Sequence, residues 1–133
     1  MTKIFVDTSG LFALLNTAEP NNTAASEQWG RLLHGEDNLF TTNYIVVESI
    51  ALIQNRLGFR AVERFVSDLL PLMSVIWVDE EQHAESLNHF ILANRRNLSL
   101  VDCSSFDTMR RLDIQTVFTF DPHFREQGFN VIQ

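Results

Sequence analysis

Short apolar runs alternate with helical repeats along this chain. Ile4, Phe5 and Val6 form an apolar run that breaks at Asp7. Beyond Thr8 and Ser9, Leu11, Phe12, Leu14 and Leu15 recur at helical spacing. The pattern predicts a strand over 3–7 and a helix over 8–17. Glu19-Pro20-Asn21-Asn22 is a break. A second helix over 22–34 places Ala25, Trp29, Leu32 and Leu33 on one face, and Gly35 ends it. Leu39 and Phe40 mark a strand over 38–42. Asn43 then caps a third helix over 44–57, apolar almost all round from Tyr44 to Ile53, so it is expected to be largely buried. A fourth helix over 59–72 carries Phe65, Leu69 and Leu72, and Val75 to Val78 lie in a strand over 74–78. Asp79-Glu80-Glu81-Gln82 reads as a capping box opening a fifth helix. Ser99 and Asp102 open a sixth over 100–112. A strand over 115–120 ends at Asp121-Pro122, itself a good helix opening. Residues 129–132 form a last short strand.

Strands alternating with helices imply a parallel sheet covered on both faces. At 133 residues the chain is expected to form one domain with a real core. A net charge of −7 supplies no basic field to draw nucleic acid by charge alone. That does not exclude a metal-dependent nuclease, because bound cations reverse the sign of an acidic pocket. Cys103 is the single cysteine, which excludes an intrachain disulfide, and it reads as a small buried residue. The N-terminal stretch lacks the pattern of a signal peptide, and no apolar run approaches the roughly 20 residues that span a membrane. A soluble cytoplasmic protein is the expectation.

The chemistry lies in the acids. Asp7 ends the first strand, where open parallel sheets collect ligand chemistry, although Asp is also a preferred N-cap. Glu48 interrupts an apolar helix; it calls for a strong partner, either a metal ion or an arginine such as Arg56. Asp102 and Asp121 each fit a helix-capping position as well as the rim of the sheet. Asp79 is explained by its capping box alone. Asp107 lies about 140° round the helix from Asp102 and reads as solvated. Arg95 and Arg96 fall in a last helical turn, where cations suit the dipole. The histidines are scattered, and only His123, close behind Asp121, is placed to approach the acids. Caps account for these acids singly, but not for their joint placement on one rim. Crowded carboxylates raise each other's pKa unless cations intervene, and Mg²⁺ or Mn²⁺ suit an all-oxygen set. Such a pocket suits phosphodiester hydrolysis.

Four segments carry these acids in order: Ile4-Phe5-Val6-Asp7-Thr8-Ser9-Gly10-Leu11, Thr42-Asn43-Tyr44-Ile45-Val46-Val47-Glu48, Leu98-Ser99-Leu100-Val101-Asp102-Cys103-Ser104-Ser105-Phe106, and Phe118-Thr119-Phe120-Asp121-Pro122-His123-Phe124. The ordered set resembles the PIN-domain ribonucleases of the VapC toxin type, over nearly the whole chain. The resemblance implies a three-layer α/β/α fold with a central parallel sheet of four to five strands. It implies Mg²⁺- or Mn²⁺-dependent endoribonuclease activity in the toxin of a toxin–antitoxin pair. Asp7, Glu48, Asp102 and Asp121 would form the acidic site. Asp7 and Asp102 would hold metal directly, and Glu48 and Asp121 through water or at a second ion. Thr8, Ser9 and Thr119 would hydrogen-bond carboxylates or bound waters. The partners implied are an RNA substrate, an antitoxin inserted at the acids, and a second copy of the chain. One departure stands out: Pro122-His123 follows Asp121 where a basic residue is common in the family.

Two other classes compete. An aspartyl-phosphate phosphotransferase shares the strand-then-Asp opening. However, Ser9 stands where one such family needs a second Asp, and the only lysine, Lys3, lies upstream of the acid. A non-catalytic module holding RNA or protein would keep the fold, but it gives four crowded carboxylates no use.

Overall fold

The computed structural model describes residues 2–133. At its centre is β1 (Lys3–Val6), whose apolar run is buried on both sides, as a central parallel strand demands. β2 (Asn38–Thr42) and β4 (Thr116–Phe118) flank it, and β3 (Ser74–Ile76) and β5 (Asn130–Ile132) form the less buried edges. The order is β3-β2-β1-β4-β5 and every pairing is parallel. The chain steps outward from β1 to β3, then crosses back to β4 and β5. With right-handed crossovers, that reversal sends the connecting helices to opposite faces. The expected three layers follow, with five strands. The β1–β4 boundary becomes the switch point, beyond whose carboxyl ends ligands bind in such sheets.

Four helices connect the first three strands: α1 (Thr8–Leu15), α2 (Asn22–His34), α3 (Asn43–Leu57) and α4 (Phe59–Arg64). α5 (Glu80–Ala93) and α6 (Leu100–Arg111) pack along each other in the crossover to β4, and α7 (Pro122–Glu126) precedes β5. Among the described residues no helix is long and apolar enough to cross a membrane.

Several expectations give way to local physics. Thr42, not Asn43, caps α3, its hydroxyl accepting the Ile45 N–H at 3.1 Å; Asn43 Oδ1 instead accepts the Val78 N–H at 2.7 Å. α3 is buried only along the stripe Ile45, Ser49 and Ile53, and Val47 stands 68% exposed, because no further element among the described residues covers its apolar outer side. Leu33 of α2 and Leu72 are also exposed. The helix expected over 59–72 loosens into a π-turn over Phe65–Leu69 and a 3₁₀ turn over Leu70–Leu72. Pro71 lacks an N–H and its ring crowds the preceding turn, which forces that change. Asn94, in the left-handed conformation, ends α5 before Arg95 and Arg96, so neither lies in its last turn. Arg95 pairs with Glu126 instead. Asp107 is not solvated: it accepts from Ser86 at 2.8 Å and contacts His89 Nδ1 at 2.9 Å across the α5–α6 seam.

Gly10 fixes how closely α1 approaches β4. A Cβ there would meet the Phe118 ring at 2.7 Å and the Phe118 carbonyl oxygen at 3.0 Å. That carbonyl also accepts the Asp7 N–H at 3.1 Å, so it has little freedom to retreat. Gly10→Ala is therefore expected to destabilise the protein by about 1–3 kcal/mol. Urea unfolding followed by circular dichroism reads this as a lowered midpoint with an unchanged slope.

Candidate active site

Asp7 stands at the carboxyl end of β1 with extended backbone, and it is only 4% exposed. Its Oδ2 atom collects three donors. Thr119 Oγ1 donates at 2.8 Å, Ser9 Oγ at 2.9 Å, and the Ser9 N–H approaches at 3.4 Å, completing the N-cap of α1. Each hydroxyl has one proton and uses it on this carboxylate. Their lone pairs accept from the segment after β4: Ser9 Oγ takes the Phe120 N–H at 2.9 Å and Thr119 Oγ1 the Asp121 N–H at 3.0 Å. The cap and the site are thus one construction. Among the described residues none bonds to Oδ1, which leaves that oxygen for a ligand.

The other acids repeat the double use. Asp102 and Ser99 form the full capping box of α6, with the Ser99 N–H donating to Asp102 Oδ2 at 2.9 Å. Asp121 caps α7 by accepting the His123 N–H at Oδ1, 2.9 Å away. Glu48 projects from α3 half-buried, and no ion pair to Arg56 forms among the described residues. The Thr8 hydroxyl favours its ionised form, and Thr8 in turn accepts from Ser49 at 3.2 Å.

The electrostatics show that the four acids share one field. Burial pushes the Asp7 carboxyl up to about 6; the Thr119 and Ser9 hydroxyls oppose this, and Asp102 and Asp121 add to it as like charges. Glu48 is raised by burial and then by Asp102 and Asp121. Asp102 is raised by burial and by Asp121, against its Ser99 hydrogen bonds and the nearby His123. Ligand atoms of Asp102, Asp121 and His123 lie within 4.8 Å of one another. Carboxylates held this close, with those of Asp7 and Asp102 raised, beside a buried His123 Nδ1 that makes no hydrogen bond, fit a divalent cation.

The structure therefore gathers Asp7, Glu48, Asp102 and Asp121 on one rim, with Ser9 and Thr119 bonded to Asp7 and Thr8 beside Glu48. Sequence reasoning missed Ser49 beneath Thr8, because an isolated serine in a helix carries no pattern. It also gave His123 little weight, although Asp-x-His at a helix start puts both side chains on one turn. A cleft of about 590 Å³ lies away from these four acids, beside His89, Cys103, Asp107 and Arg110. Its size is open space between α5 and α6 rather than chemistry.

Comparison with known proteins accords with this geometry. The family model described as the PIN domain matches residues 4–130. The chain is 30% identical over 127 residues to "23S rRNA-specific endonuclease VapC20" of Mycobacterium tuberculosis, in strains CDC 1551 / Oshkosh and H37Rv, covering 95% of both proteins. It superposes on the crystal structure of Mycobacterium tuberculosis VapC20, described as a sarcin–ricin loop cleaving toxin, with a TM-score of 0.84 and 28% identity over 95% of each chain. FitAcB from Neisseria gonorrhoeae shares the fold, at a TM-score of 0.69 and 19% identity over 98% of this chain and 96% of that one. Fold, ordered acids and sequence agree: the chain belongs to the PIN domain family.

Proposed function

We propose that this protein is a divalent-cation-dependent endoribonuclease and the toxin of a toxin–antitoxin pair. The observation that carries the reading is Asp7, buried at the switch point, bound by two hydroxyls on one oxygen and facing Asp102 and Asp121 as like charges. Family membership and the VapC20 relatives support the substrate class.

In this reading Asp7 and Asp102 hold a Mg²⁺ or Mn²⁺ ion directly, and Glu48 and Asp121 act through water or at a second ion. When bound, the ion supplies Lewis acidity that eases deprotonation of water and offsets charge on the phosphodiester during in-line displacement. Thr119 and Ser9 keep the Asp7 carboxylate ionised and fixed in direction. Glu48 orients the attacking water from the wall opposite β4. An antitoxin silences the enzyme by presenting a cationic side chain to the same acids, which the net charge of −7 favours. A second copy of the chain covers the apolar outer side of α3, where Val46, Val47, Leu70 and Val75 line a hollow with Trp77, itself 73% exposed.

The central test is cleavage of a structured RNA pool, and of a hairpin carrying the sarcin–ricin loop, with Mg²⁺, Mn²⁺ or EDTA. Wild type is expected to cut only with metal, and Asp7→Asn to lose cutting while still folded. Absence of cutting together with absence of metal binding would overturn the reading.

Asp7 also makes a stability prediction. Between about 3.8 and 6 the folded chain keeps a proton that the unfolded chain has released. Its contribution therefore falls as pH rises through that window, by at most about 3 kcal/mol. In EDTA, the melting temperature of wild type relative to Asp7→Asn is expected to fall over this range. Mn²⁺ added at about pH 7.5 is expected to raise the wild-type value more than that of Asp7→Asn. For the α3 surface, Trp77→Glu is expected to convert a dimer to a monomer, read by light scattering.

A further inference from the structure

We propose that His123 is a nitrogen ligand to a cation held by Asp102 and Asp121, and that this ligand makes the centre favour Mn²⁺ over Mg²⁺. The proposal rests on the metal-nuclease reading above and deepens it. Three observations carry it. The ligand atoms of Asp102, Asp121 and His123 lie within 4.8 Å of one another. Ligands about 2.1 Å from a shared ion sit no more than about 4.2 Å apart, so small rotations close the set. His123 Nδ1 is buried and makes no hydrogen bond, although it lies 2.7 Å from Asp121 Oδ1. The contact is of ion-pair length without making a hydrogen bond, and Oδ1 already accepts the His123 backbone N–H. A buried polar atom without a partner is destabilising unless a ligand satisfies it. Finally, the side chain is only 13% exposed and is fixed in the first turn of α7 by the Asp121 cap and Pro122, so the ring is held facing the acids before any ion arrives.

The chemistry follows from donor type. Mg²⁺ strongly prefers oxygen and gives up water reluctantly, whereas imidazole suits first-row transition ions. Exchanging one oxygen position for nitrogen thus handicaps Mg²⁺ relative to Mn²⁺. It also accounts for a site in which His123, not a further acid, completes the trio.

Pulsed electron paramagnetic resonance of the Mn²⁺-loaded full chain tests the ligation, and calorimetric titration with Mn²⁺ and with Mg²⁺ tests the preference. Wild type is expected to show a directly bound ¹⁴N that changes to ¹⁵N when only histidine is labelled. His123→Ala is expected to lose that signal and at least about tenfold in Mn²⁺ affinity, with Mg²⁺ affinity changed less than about twofold. The wild-type labelling result stands even if His123→Ala folds poorly, and His123→Gln gives a second variant of similar size. Mn²⁺ bound without a histidine nitrogen, yet released in Asp102→Asn, overturns the proposal and leaves the nuclease reading intact. Equal loss of both ions in the two His123 variants overturns it too, because the ring would then be positioning Asp121. Absence of saturable Mn²⁺ binding in wild type overturns both.

Discussion

A carboxylate buried at the point where the sheet changes direction is the constraint on which the rest of this structure depends. An ionised Asp taken out of water needs several donors, and at Asp7 they come from two strands' ends at once. Ser9 and Thr119 each give their one proton to Asp7 and accept a backbone N–H from the segment after β4. The same atoms therefore satisfy the acid, close the β1–β4 boundary and direct Asp121 toward the site. Gly10, directly behind, allows the helix close enough for this to happen.

The helix caps coincide with three of the candidate site residues. Asp7, Asp102 and Asp121 each spend one carboxylate oxygen on a helix N-terminus, which fixes the side chain without flexible contacts. A carboxylate has two oxygens and about four acceptor directions, so capping leaves the rest available. The helix N-termini also place partial positive charge near the acids and moderate their mutual repulsion. A helix cap and a metal ligand are therefore not exclusive roles for such a carboxylate.

That is why so much of the candidate site was legible in the sequence. Asp7, Asp102 and Asp121 stand at strand ends and helix starts, places that local pattern marks clearly, and the parallel α/β alternation then puts them on one rim. Glu48 was legible as a misfit among Ile45, Val46, Val47 and Ile50. What failed was tertiary. Asp107 looks like any surface acid until Ser86 and His89 meet it from α5. The apolar run of α3 predicted burial, but only one stripe finds a partner inside the chain. The π-turn before Pro71 and the early end of α5 at Asn94 depend on backbone geometry that periodicity does not register.

The charge distribution ties these points to substrate. A chain of net charge −7 repels a polyanion, and its acidic rim repels it most where reaction must occur. A cation at the rim changes both facts together. It would offset the mutual repulsion of the rim acids, which adds to burial in raising the Asp7, Glu48 and Asp102 carboxyls, and turn the local potential toward phosphate. Stability and substrate affinity would then be linked through one binding event. Any group that brings positive charge to the rim would offset the same repulsion, so a cation and a cationic side chain would compete for one electrostatic site.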